Sequence, residues 1–103
     1  MEIFMVYEML MGLQVKNDEL YTKYREAMAP FLKKYGGGFR YDFKIAEVLK
    51  NEEGRPINRV FVIYFADKEK MDQFFADPEY KKVKEQYFDA SVESRTTISE
   101  YSR

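Results

Sequence analysis

The chain has no cysteine and no histidine, which removes disulfides, thiolate nucleophiles, imidazole bases, Cys/His zinc centres and histidine-ligated haem. An excess of charge of one sign is also missing. The 17 Lys and Arg nearly cancel the 18 Asp and Glu, for a net charge of -1, so no global field gathers phosphate backbones or anionic lipid, and nucleic acid is not an expected partner. No apolar run approaches the roughly 20 residues that span a bilayer. The first apolar segment follows Glu2 rather than a basic stretch, so a cytoplasmic protein with no membrane partner is expected. The acidic residues lack clustered spacing of the EF-hand kind, and neither a metal nor another cofactor is expected.

What remains is a foldable mixture. Hydrophobic residues make up 46% and charged residues 34% of 103, with nine Phe and nine Tyr, too apolar and aromatic for disorder and of a size for one domain spanning 1–103.

Ile3 to Met11 is apolar except for Glu8 and too short for a typical helix, and it predicts a strand covered on both faces. A loop is expected around Gly12 to Lys16. Asn17 or Asp18 then caps a helix whose stripe comprises Leu20, Tyr24, Ala27, Met28, Phe31 and Tyr35. Pro30 cannot donate to residue 26 and predicts a kink or interruption, and Gly36 and Gly37 end the helix. Phe39, Tyr41, Phe43 and Ile45 alternate with Arg40, Asp42 and Lys44, as in an edge strand with one wet face. A turn over Lys50 to Pro56 leads to a doubly apolar strand from Ile57 to Phe65. Asp67 caps a second helical region carrying Met71, Phe74 and Phe75, which breaks at Asp77-Pro78 and resumes with Tyr80, Val83, Tyr87 and Phe88. Ser91 to Tyr101 has strand composition.

The order strand, helix, strand, strand, helix, strand predicts an α+β, ferredoxin-like βαββαβ fold with strand order 4-1-3-2, an antiparallel sheet and both helices on one face. Strands one and three, apolar on both faces, occupy the centre. The face without helices then needs an apolar cover, and a second copy of the chain is the simplest.

Tyr24 six positions before Pro30, then Tyr35-Gly36-Gly37, the strand end Val60 to Phe65, and Asp77-Pro78-Glu79-Tyr80 occur in order and spacing that resemble the small-protein family of domain of unknown function 1330, within the dimeric α+β barrel superfamily. The chain departs from that family's pattern with Gly38 and Tyr87 where Arg is usual and Ala66 where Pro is usual. The resemblance implies a homodimer whose sheets form a barrel, with a pocket between each sheet and its helices. It implies no established reaction, although other branches of the superfamily carry out isomerisation or oxygenation without a cofactor.

Gly36-Gly37-Gly38 follows a helix, whereas a phosphate cradle leads into one, so a left-handed cap and tight turn is the expected role. Tyr24, Tyr35, Tyr41 and Tyr80 are expected to border the space between helices and sheet. There their phenols serve either as amphipathic core groups or to orient a bound carbonyl compound. Glu8, the one charge in the first strand, is expected to pair with an arginine, sit at a strand end or enter a wet dimer cavity, and otherwise to act as an acid or base. Arg40, Asp42 and Lys44 read as a solvated edge or an anion-binding row. The ligand-binding candidates are therefore Glu8, Tyr24, Arg40, Tyr41 and Tyr80. The expected function is that of a homodimer that binds or transforms a small aromatic or carbonyl metabolite without a cofactor, the alternative being a non-catalytic dimeric interaction module.

Overall fold

In the computed structural model, which describes residues 6–103, strand β1 runs Tyr7–Val15. Its expected start at Ile3 to Met5 lies outside the described residues. Its end is later than expected, because Gly12 to Val15 continue the strand where a loop is predicted. Two contacts hold that extension. Gly12 packs so closely on Ile57 that an added Cβ would stand 2.8 Å from the isoleucine Cδ1. The Asn58 side chain takes the Val15 N–H at 2.7 Å and donates to the Val15 carbonyl at 2.8 Å, satisfying the strand end as a neighbouring backbone would.

Helix α1, Asp18–Lys34, is capped by Asn17, whose side chain accepts from the Leu20 N–H. Pro30 does not interrupt it. The proline and Glu26, whose carbonyl it leaves without a helical donor, both lie on the exposed side, so that carbonyl is not stranded in the core. Its buried stripe is Tyr21, Tyr24, Met28 and Leu32. Tyr21 and Leu32 replace the expected Leu20 and Ala27, while Phe31 and Tyr35 pack at the margin. The helix ends in a Schellman cap, with Gly36 at φ 72°, its N–H on the Lys33 carbonyl and the Gly37 N–H on that of Leu32.

Strands β2 (Gly38–Lys44) and β3 (Arg59–Phe65) are antiparallel, joined by the long segment 45–58. Asp67 caps α2 (Lys68–Ala76), and Asp77 both ends it and caps α3 (Pro78–Val83). A π-helical turn, Lys84–Phe88, and a short α4, Asp89–Ser91, then lead into β4, Val92–Ser102. The Asp77-Pro78 break is as predicted, and the π turn is not.

The sheet order is β2-β3-β1-β4 with every pair antiparallel, as the sequence pattern predicts. Met9, Met11, Leu13, Phe61, Ile63 and Phe65 form the helix side and pack with Met28, Leu32, Phe74 and Tyr80. The opposite face carries Glu8, Leu10, Val60, Val62 and Tyr64, paired across β1 and β3, and no helix among the described residues lies on it. Among the described residues no helix is long and apolar enough to cross a membrane.

One correction bears directly on the candidates. The pairing of β2 with β3 slips between Phe39 and Tyr41, a bulge that sends consecutive side chains to one face. Phe39 stays on the helix side, but Tyr41 now opposes Val62 and Phe43 opposes Val60, so both leave the core and are 52% and 53% exposed. Asp42 and Lys44 turn to the helix side, and Arg40 to the other. The three do not form one solvated row.

Candidate functional site

Between the helices and the sheet lies a cavity of about 540 Å³, within the range of small-molecule sites. Met9, Met11, Leu13 and Ile63 form its floor, because alternation along the central strands sends them all to one side. Tyr24 of α1 and Tyr80 of α3 close it from the helices. Their hydroxyls lie 2.7 Å apart, although the residues are 56 positions apart in the chain.

Tyr80 is placed by Asp77. The Asp77 carboxylate accepts from the Glu79 N–H at 2.9 Å and the Tyr80 N–H at 3.3 Å, and its other oxygen accepts from the Tyr35 hydroxyl at 2.7 Å and the Lys34 ammonium at 3.2 Å. The Tyr35 hydrogen bond first, then those from Lys34 and the backbone, hold the carboxyl at about 2, below its ordinary 3.8. One aspartate thus ties the end of α1 to the start of α3 and fixes where the Tyr80 ring enters. The ring packs 4.1 Å from that of Phe74. The π turn presents Phe88 edge-on to Tyr24 at 5.0 Å and carries Lys84 and Glu85 to the cavity rim.

Burial is the main cause that raises the pKa of both phenols, well above the ordinary value at Tyr24, where the neighbouring Tyr80 adds to it. They are neutral hydrogen-bond donors, not phenolate bases. Two hydroxyls hold two hydrogens, and the bond between them uses one. Among the described residues neither hydroxyl has another hydrogen-bond partner, so one O–H is left to donate at the wall of a cavity whose floor is apolar.

The five candidates therefore divide. Tyr24 and Tyr80 line the cavity, whereas Glu8, Arg40 and Tyr41 lie across the sheet. Glu8 is fully buried and stands 2.9 Å from the Arg40 Nε in a close ion pair. It also accepts from the Tyr101 hydroxyl at 3.2 Å and from Arg103 at 3.4 Å. The Arg40 guanidinium sits over the Tyr64 ring, 4.7 Å from its centroid. That is the paired-arginine reading of Glu8. Asp42 is held on the helix side by Arg25 and by two of the three guanidinium nitrogens of Arg59, Nε at 3.0 Å and Nη2 at 2.8 Å. Sequence reasoning passed over Tyr21 and Arg95, both on the cavity wall. Tyr21 was available in the spacing 21, 24, 28, 32, while Arg95 carries no signal beyond its place on β4. A second groove crosses the helix-free face beneath the 45–58 segment, lined by Ile57, Val60 and Ile98 among others. Among the described residues no group of three or more carboxylates is placed to hold a metal ion.

Residues 6–101 match the model of the family described as Domain of unknown function (DUF1330). The chain belongs to that family. No curated protein shows significant sequence similarity to this DUF1330 chain. Solved structures share its fold. A protein of unknown function from Rhodopseudomonas palustris superposes with a TM-score of 0.78 at 16% identity, over 96% of this chain and 82% of its own. A dabb family protein with a ferredoxin-like fold from Mesorhizobium loti gives 0.63 at 12% identity, over 96% and 94%. SnoaB, a cofactor-independent oxygenase from Streptomyces nogalater, gives 0.56 at 13% identity, over 98% and 92%. At these identities the likeness is one of fold, and the fold of the DUF1330 chain is ferredoxin-like α+β.

Proposed function

We propose that the protein is a homodimeric α+β barrel that binds a small aromatic or carbonyl-bearing metabolite between its helices and its sheet, without a cofactor. The observation that carries the proposal is the cavity of about 540 Å³ closed by the Tyr24–Tyr80 hydroxyl pair, with its unused O–H donor. Apolar walls suit a ring, and a neutral phenol in a low-dielectric pocket suits a carbonyl or similar acceptor oxygen. In a transforming version the same donor polarises that oxygen and steadies charge developing on it, in keeping with the cofactor-independent chemistry named for the SnoaB neighbour.

The homodimer rests on the other face. Leu10, Val62, Tyr41, Phe43 and Ile98 leave that side of the sheet apolar and without a helix, and sheet-to-sheet packing of two copies covers it by an isologous contact. The interaction-module alternative calls for a filled space between helices and sheet, and the cavity counts against it. The test is a thermal-shift screen of small aromatic and carbonyl compounds on the parent chain and on the double variant Tyr24→Phe/Tyr80→Phe, which holds no hydroxyl of the pair, with and without chelator. Hits that shift the parent, lose their effect in the double variant and are indifferent to chelator support the proposal. Hits that survive the double substitution, or no hit at all, defeat it.

A further inference from the structure

Arg95 on β4 opposes Leu13 of β1, so its side chain leaves the sheet on the helix side, where it lines the cavity. Every other arginine of the chain is held by a carboxylate: Arg25 and Arg59 by Asp42, Arg40 and Arg103 by Glu8, and Arg55 by Glu53. Arg95 alone has no ion pair or hydrogen bond among the described residues. Its five donors are free at the margin of an apolar space.

The neighbouring charges do not supply the missing partner. Lys84 is tied to Asp89 at 2.9 Å, which neutralises both. Glu85 and Glu100 reach the rim, but neither lies within ion-pair distance of Arg95. At both phenols the positive charge of Arg95 opposes the upward push of burial. The guanidinium and the hydroxyl pair therefore act on the same volume from its rim and its inner wall.

We propose that the ligand is a small carboxylic acid, its carboxylate held by Arg95 at the rim and an acceptor oxygen at the far end of its apolar body held by the Tyr24–Tyr80 pair. This rests on reading the cavity as a ligand site and adds the anionic group to it. A planar guanidinium takes a carboxylate through two parallel N–H donors, a geometry that an ester cannot reproduce with comparable strength.

Three probes separate the terms: 4-acetylbenzoate carries both groups, methyl 4-acetylbenzoate lacks the charge, and 4-ethylbenzoate lacks the acceptor carbonyl. Binding is read by calorimetry on the parent chain, Arg95→Gln, Arg95→Lys and the double variant Tyr24→Phe/Tyr80→Phe. The acid is expected to bind about tenfold more tightly than its methyl ester, roughly 1.4 kcal/mol. Arg95→Gln is expected to bring acid and ester within about twofold of each other, and Arg95→Lys to restore part of the difference. The double variant Tyr24→Phe/Tyr80→Phe, which leaves no O–H of the pair, is expected to erase the advantage of 4-acetylbenzoate over 4-ethylbenzoate. Because Arg95 is exposed on an edge strand, its replacement leaves the fold intact, which the unfolding midpoint checks. Equal affinity for acid and ester, or a preference that survives Arg95→Gln, overturns this inference and leaves the cavity reading standing. Failure of all three probes to bind overturns the cavity reading and this inference with it.

Discussion

Removing one or both hydroxyls of the Tyr24–Tyr80 pair gives opposite outcomes for stability if the pair is arranged as described. Each phenol is at most 4% exposed, and each hydroxyl has the other as its one partner, at 2.7 Å. Tyr24→Phe or Tyr80→Phe alone discards a hydrogen bond and strands a buried hydroxyl, which is expected to cost about 1–2 kcal/mol in each variant. The double variant strands nothing. It also deletes the O–H that has no acceptor in the parent, so its stability is expected within about 0.5 kcal/mol of the parent, and better than either single variant. For a chain of this size 1 kcal/mol moves Tm by roughly 4–8 °C. Urea unfolding of the four proteins, with equal m-values as the check on two-state behaviour, measures the cycle. A double variant whose loss equals the sum of the two single losses refutes the coupling. It also removes the reason for expecting a free donor in the cavity.

Asp77 sets the acid limb of stability. Its folded pKa of about 2 lies below the ordinary 3.8, so the folded state binds fewer protons than the unfolded state between those values, and stability falls as pH drops through that window. Asp77→Asn is expected to flatten this part of the urea midpoint–pH curve; an unchanged acid limb refutes the assignment. Gly37→Ala would place a Cβ 2.2 Å from the Tyr64 carbonyl oxygen, and the backbone displacement is expected to cost about 2 kcal/mol or more in urea unfolding, so a loss under 0.5 kcal/mol would show that the turn yields freely. Sedimentation at micromolar concentration is expected to give a dimer for the parent chain and a monomer for Tyr41→Glu/Phe43→Lys. A monomeric parent sinks the barrel.

Most of the fold was legible because several local signals pointed the same way. Asn17, Asp67 and Asp77 each cap the helix that their position predicts, and Gly36 adopts the left-handed conformation that ends α1. The two strands with apolar residues on both faces are the two central ones. The misses were of another kind, since each depends on contacts between residues far apart in sequence. The last turn of β1 is held by Asn58, 43 residues away. Pro30 is tolerated because it faces away from the core. The π turn that shapes the cavity has no marker in its composition.

The β2 bulge shows most plainly why the candidate site was only half legible. Strict alternation assigns Phe39, Tyr41 and Phe43 to one face, and a single slipped residue at Arg40 moves the last two across the sheet. The same slip frees Asp42 to meet Arg25 and Arg59 beneath α1 and turns Arg40 toward Glu8. It thereby settles three internal ion pairs at once. Tyr24 and Tyr80 escaped this uncertainty because they sit on helices, where a neighbouring strand's register does not decide which way a side chain points. The five predicted residues therefore divide: Tyr24 and Tyr80 face the cavity, while Glu8, Arg40 and Tyr41 lie on the face that a second copy would cover. A ligand role for those three would require the partner's sheet to complete a pocket there. The ion pairing of Glu8 with Arg40 instead neutralises those two charges, which suits a face that a second copy would bury.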